Sequence, residues 1–388
     1  LVSFVIVVIM VDRRISFGLA MFAGAFIILL TSGLGFFGLE LVVKEILAPS
    51  VLYLALVILL ISILGYCYKA TGQIERLVKH LRLFVPDHRV NCAAVPAIFG
   101  LLPMPGGALL SAPMVKKEAD ALSLNPEEGA FHNIWFRHSI YYIFPLFPGI
   151  ILAAELSGVD VYAVAAYQAP VFIAGFAIPY FMYLRKFGRV ENGKKGSIWP
   201  LMNDLLPIIA AIVFTIILGV PLALALGLGI LIILIQNEMT VWKGLKTLYK
   251  GISPNLLLAV FGIMVFKRMV EASGVMVDVA QGLTDIGVPL MVLVITIPFL
   301  VGLITGSELG CIGVTFPIFI PLLPEVTVPM VSLLYVGAFL GYVISPLHLC
   351  VVLTAEYFHA RLGPIIKMYV VPGLLTFLVS LLSFFLFG

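Results

Sequence analysis

The chain has 388 residues, 62% of them hydrophobic and only 11% charged, with a formal net charge of +3. A soluble domain carries about a quarter of its residues as charge, so these proportions exclude an ordinary water-soluble fold, and the expected surroundings are a lipid bilayer and a small-molecule partner, with no nucleic acid. Four scattered cysteines form neither a disulfide framework nor a metal-binding pattern. Apolar runs of about 20 residues recur from end to end, the length needed to cross a bilayer. They are continuous rather than alternating, which selects helices over a closed barrel. The expected class is therefore an all-α polytopic membrane protein.

In chain order, the sequence predicts helices at about 1–12, 15–37, 47–68, 139–156, 160–184, 204–219, 221–237, 252–270, 329–356 and 367–387. The opening LVSFVIVVIMV has neither a basic start nor a small-residue cleavage site, so it reads as a helix and not as a cleavable signal. The run before Asp12 is short for a crossing: the first helix is tilted, or a few starting residues are missing. Polar connectors are expected at 69–89, 114–137, 185–203 and 238–251. Within the first of these, GQIERLVKHLRLF (72–84) reads as an amphipathic helix on the membrane surface. Two apolar segments, 90–113 and 288–322, are interrupted by proline and glycine and read as re-entrant hairpins. With both entering and leaving on one side, all but Lys44, Lys267 and Arg268 of the 23 basic residues fall on the same side. That side is the cytoplasm by the positive-inside rule, so both termini are expected outside.

The halves resemble one another. YKATGQIERLVKHLR (68–82) lies over VEASGVMVDVAQGLT (270–284), and at the same offset Pro96 meets Pro298 and Gly100 meets Gly302. One residue later in register, FPLFPGIILAAE (144–155) lies over SPLHLCVVLTAE (345–356), which matches Pro145 with Pro346 and Glu155 with Glu356. The expected units are 1–184 and 204–388, joined by a cytoplasmic linker at 185–203. Each carries five crossings and one hairpin, about ten crossings in all. Five is odd, so the second repeat is expected upside down relative to the first. Inverted repeats with broken helices near the midplane are an architecture of secondary transporters. At such breaks, backbone groups lack intrahelical partners, glycine lets a ligand approach, and a half-helix N-terminus favours an anion.

PMPGGALLSAP (103–113), TGSELGCIGVTFP (305–317) and GYVISPLHLC (341–350) carry a resemblance that spans essentially the whole chain. They resemble the ion-transporter superfamily, which includes gluconate, dicarboxylate and citrate carriers, and within it a prokaryotic integral-membrane family, domain of unknown function 401. The resemblance implies an inverted repeat with two re-entrant hairpins, a homodimer with a central scaffold, and outer transport domains that move as elevators. It implies small organic anions as substrates, coupled to protons or sodium, in a bacterial inner or archaeal cell membrane. The long unbroken segments 15–37 and 221–237 are the scaffold candidates. Sodium-coupled dicarboxylate carriers have Ser-Asn-Thr hairpin tips; the Pro-Gly-Gly and Ser-Glu-Leu-Gly here speak against sodium coupling and a dicarboxylate substrate.

Glu308, in the second tip, is the leading candidate for coupling. A charge there is expensive in lipid and functional by default; a proton carrier, a sodium ligand and a structural salt bridge are the readings, with Arg137 as the charge partner to test. His348, after the Ser345-Pro346 break, is a candidate for pairing with a carboxylate or exchanging a proton, against simple interhelical hydrogen bonding. Arg137 and His138 are candidates for a gate or an anion clamp, against snorkelling at the interface. Pro105, Gly106, Gly107 and Gly306 supply open backbone at the tips, and Ser111, Thr305, Ser307, Thr315 and Ser345 supply hydroxyls, a type that also ties membrane helices together. Asn133 and Gln168 are read as packing residues, Glu155 and Glu356 as structural or gating ones. No GxGxxG, GxxxxGK, GxSxG or HExxH stretch is present, so neither an enzyme nor an ATP-driven engine is expected. Cys311, His348 and Cys350 have no zinc-motif spacing, and no metal or cofactor beyond a coupling ion, proton before sodium, is expected. The expected function is proton-coupled secondary transport of a small organic anion; a sodium-coupled carrier, an anion channel and an intramembrane enzyme are the alternatives.

Overall fold

The computed structural model describes residues 2–13, 15–102, 107–188, 196–274, 282 and 287–387. Among them no strand occurs, and the helices follow in the order α1 (Val2–Asp12), α2 (Phe17–Thr31), α3 (Gly35–Ile46), α4 (Pro49–Ala70), α5 (Gln73–Phe84), α6 (His88–Gly100), α7 (Gly107–Ala121), α8 (Pro126–Ser139), α9 (Pro148–Ser157), α10 (Val161–Tyr167), α11 (Ala169–Pro179), α12 (Trp199–Leu218), α13 (Leu222–Gln236), α14 (Val241–Gly251), α15 (Pro254–Ala272), α16 (Leu290–Thr305), α17 (Glu308–Phe319), α18 (Val328–Ile344), α19 (Leu349–Phe358) and α20 (Leu362–Phe387). The chain is an all-α polytopic membrane protein. Among the described residues, α4, α12, α20 and the α18–α19 stretch are long and apolar enough to cross a bilayer, and up to six spans result if each bent pair counts as one. The ten expected crossings therefore require several of the shorter apolar helices to span. Leucine, isoleucine and phenylalanine side chains stand exposed on α2, α12, α13 and α20, the faces that lipid would cover.

Two expected hairpins coincide with helix pairs: α6–α7 at 90–113 and α16–α17 at 288–322. Each is followed by a helix that breaks. After α8, a short 3-10 turn (Ile140–Tyr142) and residues 143–147 lead into α9; after α18, residues 345–348 lead into α19. The parts interlock crosswise, with α17 of the later pair on α9 and α7 of the earlier pair on α19. Each hairpin also leans on the helix that follows it, α6 on α8 and α16 on α18. Glycine makes the second contact close. A Cβ at Gly302 would collide with the Ala338 carbonyl, and one at Gly341 with the Phe299 carbonyl. Gly100, matched to Gly302 in the sequence repeat, approaches the Arg137 carbonyl in the same manner.

Five expected elements differ. The connector expected at 114–137 is mostly helix and largely buried. Asn125 and Glu128 form a reciprocal capping box around Pro126, and Phe131, Asn133, Trp135 and Phe136 are at most 2% exposed. The helix expected over 139–156 thus begins earlier and is broken at 140–147. The unbroken helix expected over 15–37 ends at Thr31, because Gly33 and Gly35 take positive φ values of 72° and 51°. Residues 73–84 form the expected amphipathic helix, but its apolar face, including Ile74, Leu77 and Val78, is buried within the protein. The connector expected at 238–251 is likewise helical over α14. Part of the expected linker at 185–203 lies outside the described residues.

Candidate functional site

At the second hairpin, α16 stops because Gly306 adopts φ +56° and caps its C-terminus, its N–H donating to the Gly302 carbonyl at 3.0 Å. Ser307 then caps α17, its hydroxyl oxygen accepting from the Gly310 N–H at 3.1 Å. This two-residue break puts Glu308 in the first position of α17, where the helix dipole favours a negative charge. Glu308 is 6% exposed. The Tyr335 hydroxyl, on α18, lies 2.9 Å from Glu308 Oε1 and 3.2 Å from the Tyr141 carbonyl, so two acceptors compete for one proton. The carboxylate sits so close to Gly149, in the first turn of α9, that a Cβ there would collide with it. Among the described residues Glu308 makes no ion pair; the partner proposed from sequence, Arg137, is engaged elsewhere.

The same tip abuts the second helix break. A Cβ on Gly306 would come within 2.7–2.8 Å of the backbone of Leu347 and His348. Ser345 fastens the junction, its hydroxyl donating to the Leu303 carbonyl at 2.6 Å and accepting from the Leu347 N–H at 3.1 Å. Thr305 donates to the Val301 carbonyl at 2.8 Å and Thr315 to the Cys311 carbonyl at 2.7 Å, both within their own helices.

At the first hairpin the charge arrives from outside. Arg137, near the end of α8 and 2% exposed, donates from Nη1 to the Phe99 carbonyl at 2.8 Å. That carbonyl belongs to the last turn of α6, the end of a helix that favours a cation. The guanidinium also lies directly against Gly107, the first residue of α7, where a Cβ would collide with it. Arg137 therefore spans both sides of the tip instead of snorkelling to the interface. Pro105 and Gly106 lie outside the described residues. Ser111 donates to Asn133 Oδ1 at 2.7 Å, and Asn133 Nδ2 donates to the Ala108 carbonyl at 3.0 Å and Thr354 Oγ1 at 3.1 Å. Asn133 thereby ties the first hairpin to α8 and α19.

His138 and His348 join the two tips. Both are buried, and their rings meet edge to face with centroids 4.8 Å apart. His138 Nδ1 donates to the Ile134 carbonyl at 2.7 Å, leaving Nε2 toward the Tyr342 hydroxyl at 3.4 Å. Tyr342 packs on His348 at 4.1 Å, and Tyr141 stacks on Phe147 at 3.6 Å. A continuous path of contacts thus runs Gly107–Arg137–His138–His348–Gly306, with Glu308 and Tyr335 at its far end. The arrangement sets a buried cation at one break and a buried carboxyl at the other.

Sequence reasoning did not single out Tyr335 and Tyr342, and it read Asn133 as packing. The available signal was the spacing Tyr335–Phe339–Tyr342, one aromatic stripe of a helix otherwise made of aliphatic and small residues. Gln168 is fully buried, and neither polar end of its amide makes a hydrogen bond. Glu356 is exposed, while Glu155 lines a separate cleft of about 560 Å³ between α4, α9, α10 and α12.

The fold is shared with solved structures. The YdaH transporter of Alcanivorax borkumensis, described as having an unusual topology, matches with a TM-score of 0.64 at 16% identity, over 89% of this chain and 86% of that one. MtrF of Neisseria gonorrhoeae, described as illuminating a class of antimetabolite efflux pumps, matches with a TM-score of 0.60 at 14% identity, over 90% and 84%. At these identities the likeness is one of fold. No curated protein matches the chain. The family described as "Protein of unknown function (DUF401)" matches residues 1–386, and the chain belongs to that family.

Proposed function

We propose that the protein is a secondary active transporter of a small organic anion, coupled to protons through Glu308. The observation that carries this reading is the buried pairing of two helix breaks with complementary chemistry. Arg137 stands at one hairpin tip and Glu308 at the other, joined by two histidines. Arg137 is the anion's charge partner, with Gly107, Gly306 and the hydroxyls of Ser111, Ser307 and Ser345 as the further groups of the site. Glu308 takes up and releases the proton, with Tyr335 as its hydrogen-bond partner. Buried ionisable groups facing a bundle interior mark ion and substrate paths, and the fold shared with YdaH and MtrF supports carriage over conduction.

Residues 1–184 and 204–388 serve in this reading as inverted repeats, with both termini outside. The hairpins and broken helices move together against a scaffold in a homodimer, as elevators do. The test is gradient-driven uptake in proteoliposomes, screened over organic acids with either a proton or a sodium gradient. Accumulation against a concentration gradient, driven by protons, is expected. Rapid flux that runs only downhill points to a channel, accumulation driven by sodium alone overturns the coupling assignment, and product formation without flux points to an enzyme.

A further inference from the structure

The proposed transport uses His138 and His348 as the bridge between the tips, yet leaves the ring nitrogens of His348 unexplained. His348 is 2% exposed, and neither of its ring nitrogens makes a hydrogen bond; the Val343 carbonyl lies near without hydrogen-bond geometry. Two residues on, Cys350 opens the first turn of α19 as a free, partly buried thiol. One ligand atom from each of His138, His348 and Cys350 lies within 4.8 Å of the other two. We propose that these three side chains form a binding site for a thiophilic d¹⁰ cation, Zn²⁺ first among them.

Ligand type and geometry both favour this. Zn²⁺ takes imidazole nitrogen at about 2.0–2.1 Å and thiolate sulfur at about 2.3 Å, which places tetrahedral donors about 3.3–3.6 Å apart. From within 4.8 Å of one another, the three donors reach that spacing by closing by about 1.5 Å at most, within the range of side-chain rotation. The tautomer of His138 is already set. Its Nδ1–H is held by the Ile134 carbonyl, the support that metal-bound histidines typically have, so Nε2 carries a lone pair that a cation would take from the Tyr342 hydroxyl 3.4 Å away. Binding takes Cys350 as the thiolate and releases its proton to water; the thiolate charge offsets the Arg137 guanidinium nearby. Pro346, Leu347 and Leu349 around the break are exposed, so the site lies close beneath the protein's surface. Cys311 is not part of the cluster; its thiol is held by the Pro298 carbonyl at 3.0 Å. Three protein ligands leave a fourth position open.

The ligands come from two different helices at their breaks: His138 ends α8, while His348 and Cys350 flank the start of α19. A bound ion therefore pins the two breaks together, and Zn²⁺ should act as a lock on any motion between them.

The test uses the full-length protein, washed with chelator, in detergent and in proteoliposomes. Titrated with Co²⁺, it should take up about one equivalent per chain with tetrahedral ligand-field bands and a thiolate-to-cobalt charge-transfer band, both displaced by Zn²⁺. Cys350→Ser should abolish the charge-transfer band, and His138→Gln should weaken binding roughly tenfold or more. Absence of the band in the parent protein, or its persistence in Cys350→Ser, overturns the site. If either variant fails to fold, X-ray absorption of the Zn²⁺-loaded parent decides: one sulfur and two imidazole nitrogens support the site, and any other set overturns it. Binding is read without flux, so its outcome is separate from that of the carrier reading. In the flux arm, which rests on that reading, micromolar Zn²⁺ should slow exchange in the parent and not in Cys350→Ser; exchange indifferent to Zn²⁺ overturns the locking role.

Discussion

In the first hairpin, the end of α6 meets a guanidinium brought from another helix: Arg137 of α8 reaches the Phe99 carbonyl in the last turn of α6 and lies on Gly107, the first residue of α7. In the second, the break is only Gly306 and Ser307, and α17 presents its own carboxylate, Glu308, at its first residue. One break gathers a cation at a helix C-terminus and the other an anion at a helix N-terminus, each the sign that the local dipole favours. The same succession of elements, hairpin then broken helix, thus carries opposite chemistry in the two halves. The proposed proton-coupled carriage uses that asymmetry: one end holds an anion and the other changes charge.

The largest expected effect breaks the second hairpin's support. Gly341→Val places its side chain into the Phe299 carbonyl and forces α16 away from α18. A destabilisation of more than about 3 kcal/mol is expected, as for severe overpacking, and thermal unfolding in detergent should show it as a large drop in Tm or loss of monodisperse protein. Next, Gly107→Val separates the first tip from the second. Its Cβ displaces the Arg137 guanidinium, the movable end of a side chain and not backbone, so the protein should fold. Substrate binding and uptake should fall by an order of magnitude or more, with expression intact. Normal uptake would remove Arg137 from the site.

Tyr335→Phe sharpens the contrast on the acidic side. It deletes a buried hydroxyl that serves both Glu308 and the Tyr141 carbonyl, and a loss of about 1–2 kcal/mol is expected for a hydrogen bond to a charged or buried acceptor. The corresponding loss in accumulation should be several-fold, measured beside Tm. An unchanged Tm would mean that the hydroxyl contributes nothing there.

The smallest effect lies at the rim. Glu127, at the start of α8, accepts from Arg361 Nε at 3.1 Å, which joins α8 to the connector after α19. The hydrogen bond from Arg361 holds the Glu127 carboxyl below its usual range. A depressed carboxyl contributes stability above its unfolded pKa and loses it as pH falls through the folded value. Glu127→Gln should therefore cost about 0.5 kcal/mol or less near pH 7, as exposed pairs do, and nothing in strong acid. A Tm difference that grows on acidification would reverse the assignment.

These contrasts were unequally legible in the sequence. Proline and glycine interruptions located both hairpins, and the short second tip could be read almost to the residue, because Gly306, Ser307 and Glu308 are a C-cap, an N-cap and a first-turn acid in succession. The first site was harder. Lys116, Lys117, Glu118, Asp120, Glu127 and Glu128 make 114–137 look like a solvated connector, yet Glu118 is fully buried between Arg82 at 2.6 Å and His88 at 2.5 Å. A sequence shows the charges and not their partners 30 residues away, so 114–137 reads as connector and Arg137 as a residue near the interface. Tyr335 was hidden for a related reason: a tyrosine in an apolar helix shows its hydroxyl's purpose only once the acceptor across the gap is known. Where chemistry comes from one short stretch it can be read, and where it is assembled across helices it cannot.

The central claim is that the charge change at the second tip drives accumulation while the first tip holds the anion. Glu308→Gln keeps the shape of the side chain and removes its proton exchange. Reconstituted side by side with the parent, the variant should retain substrate counterflow, which needs binding and motion but no net proton transfer, and should lose accumulation driven by an inward pH gradient. Accumulation by the variant equal to that of the parent would contradict the account.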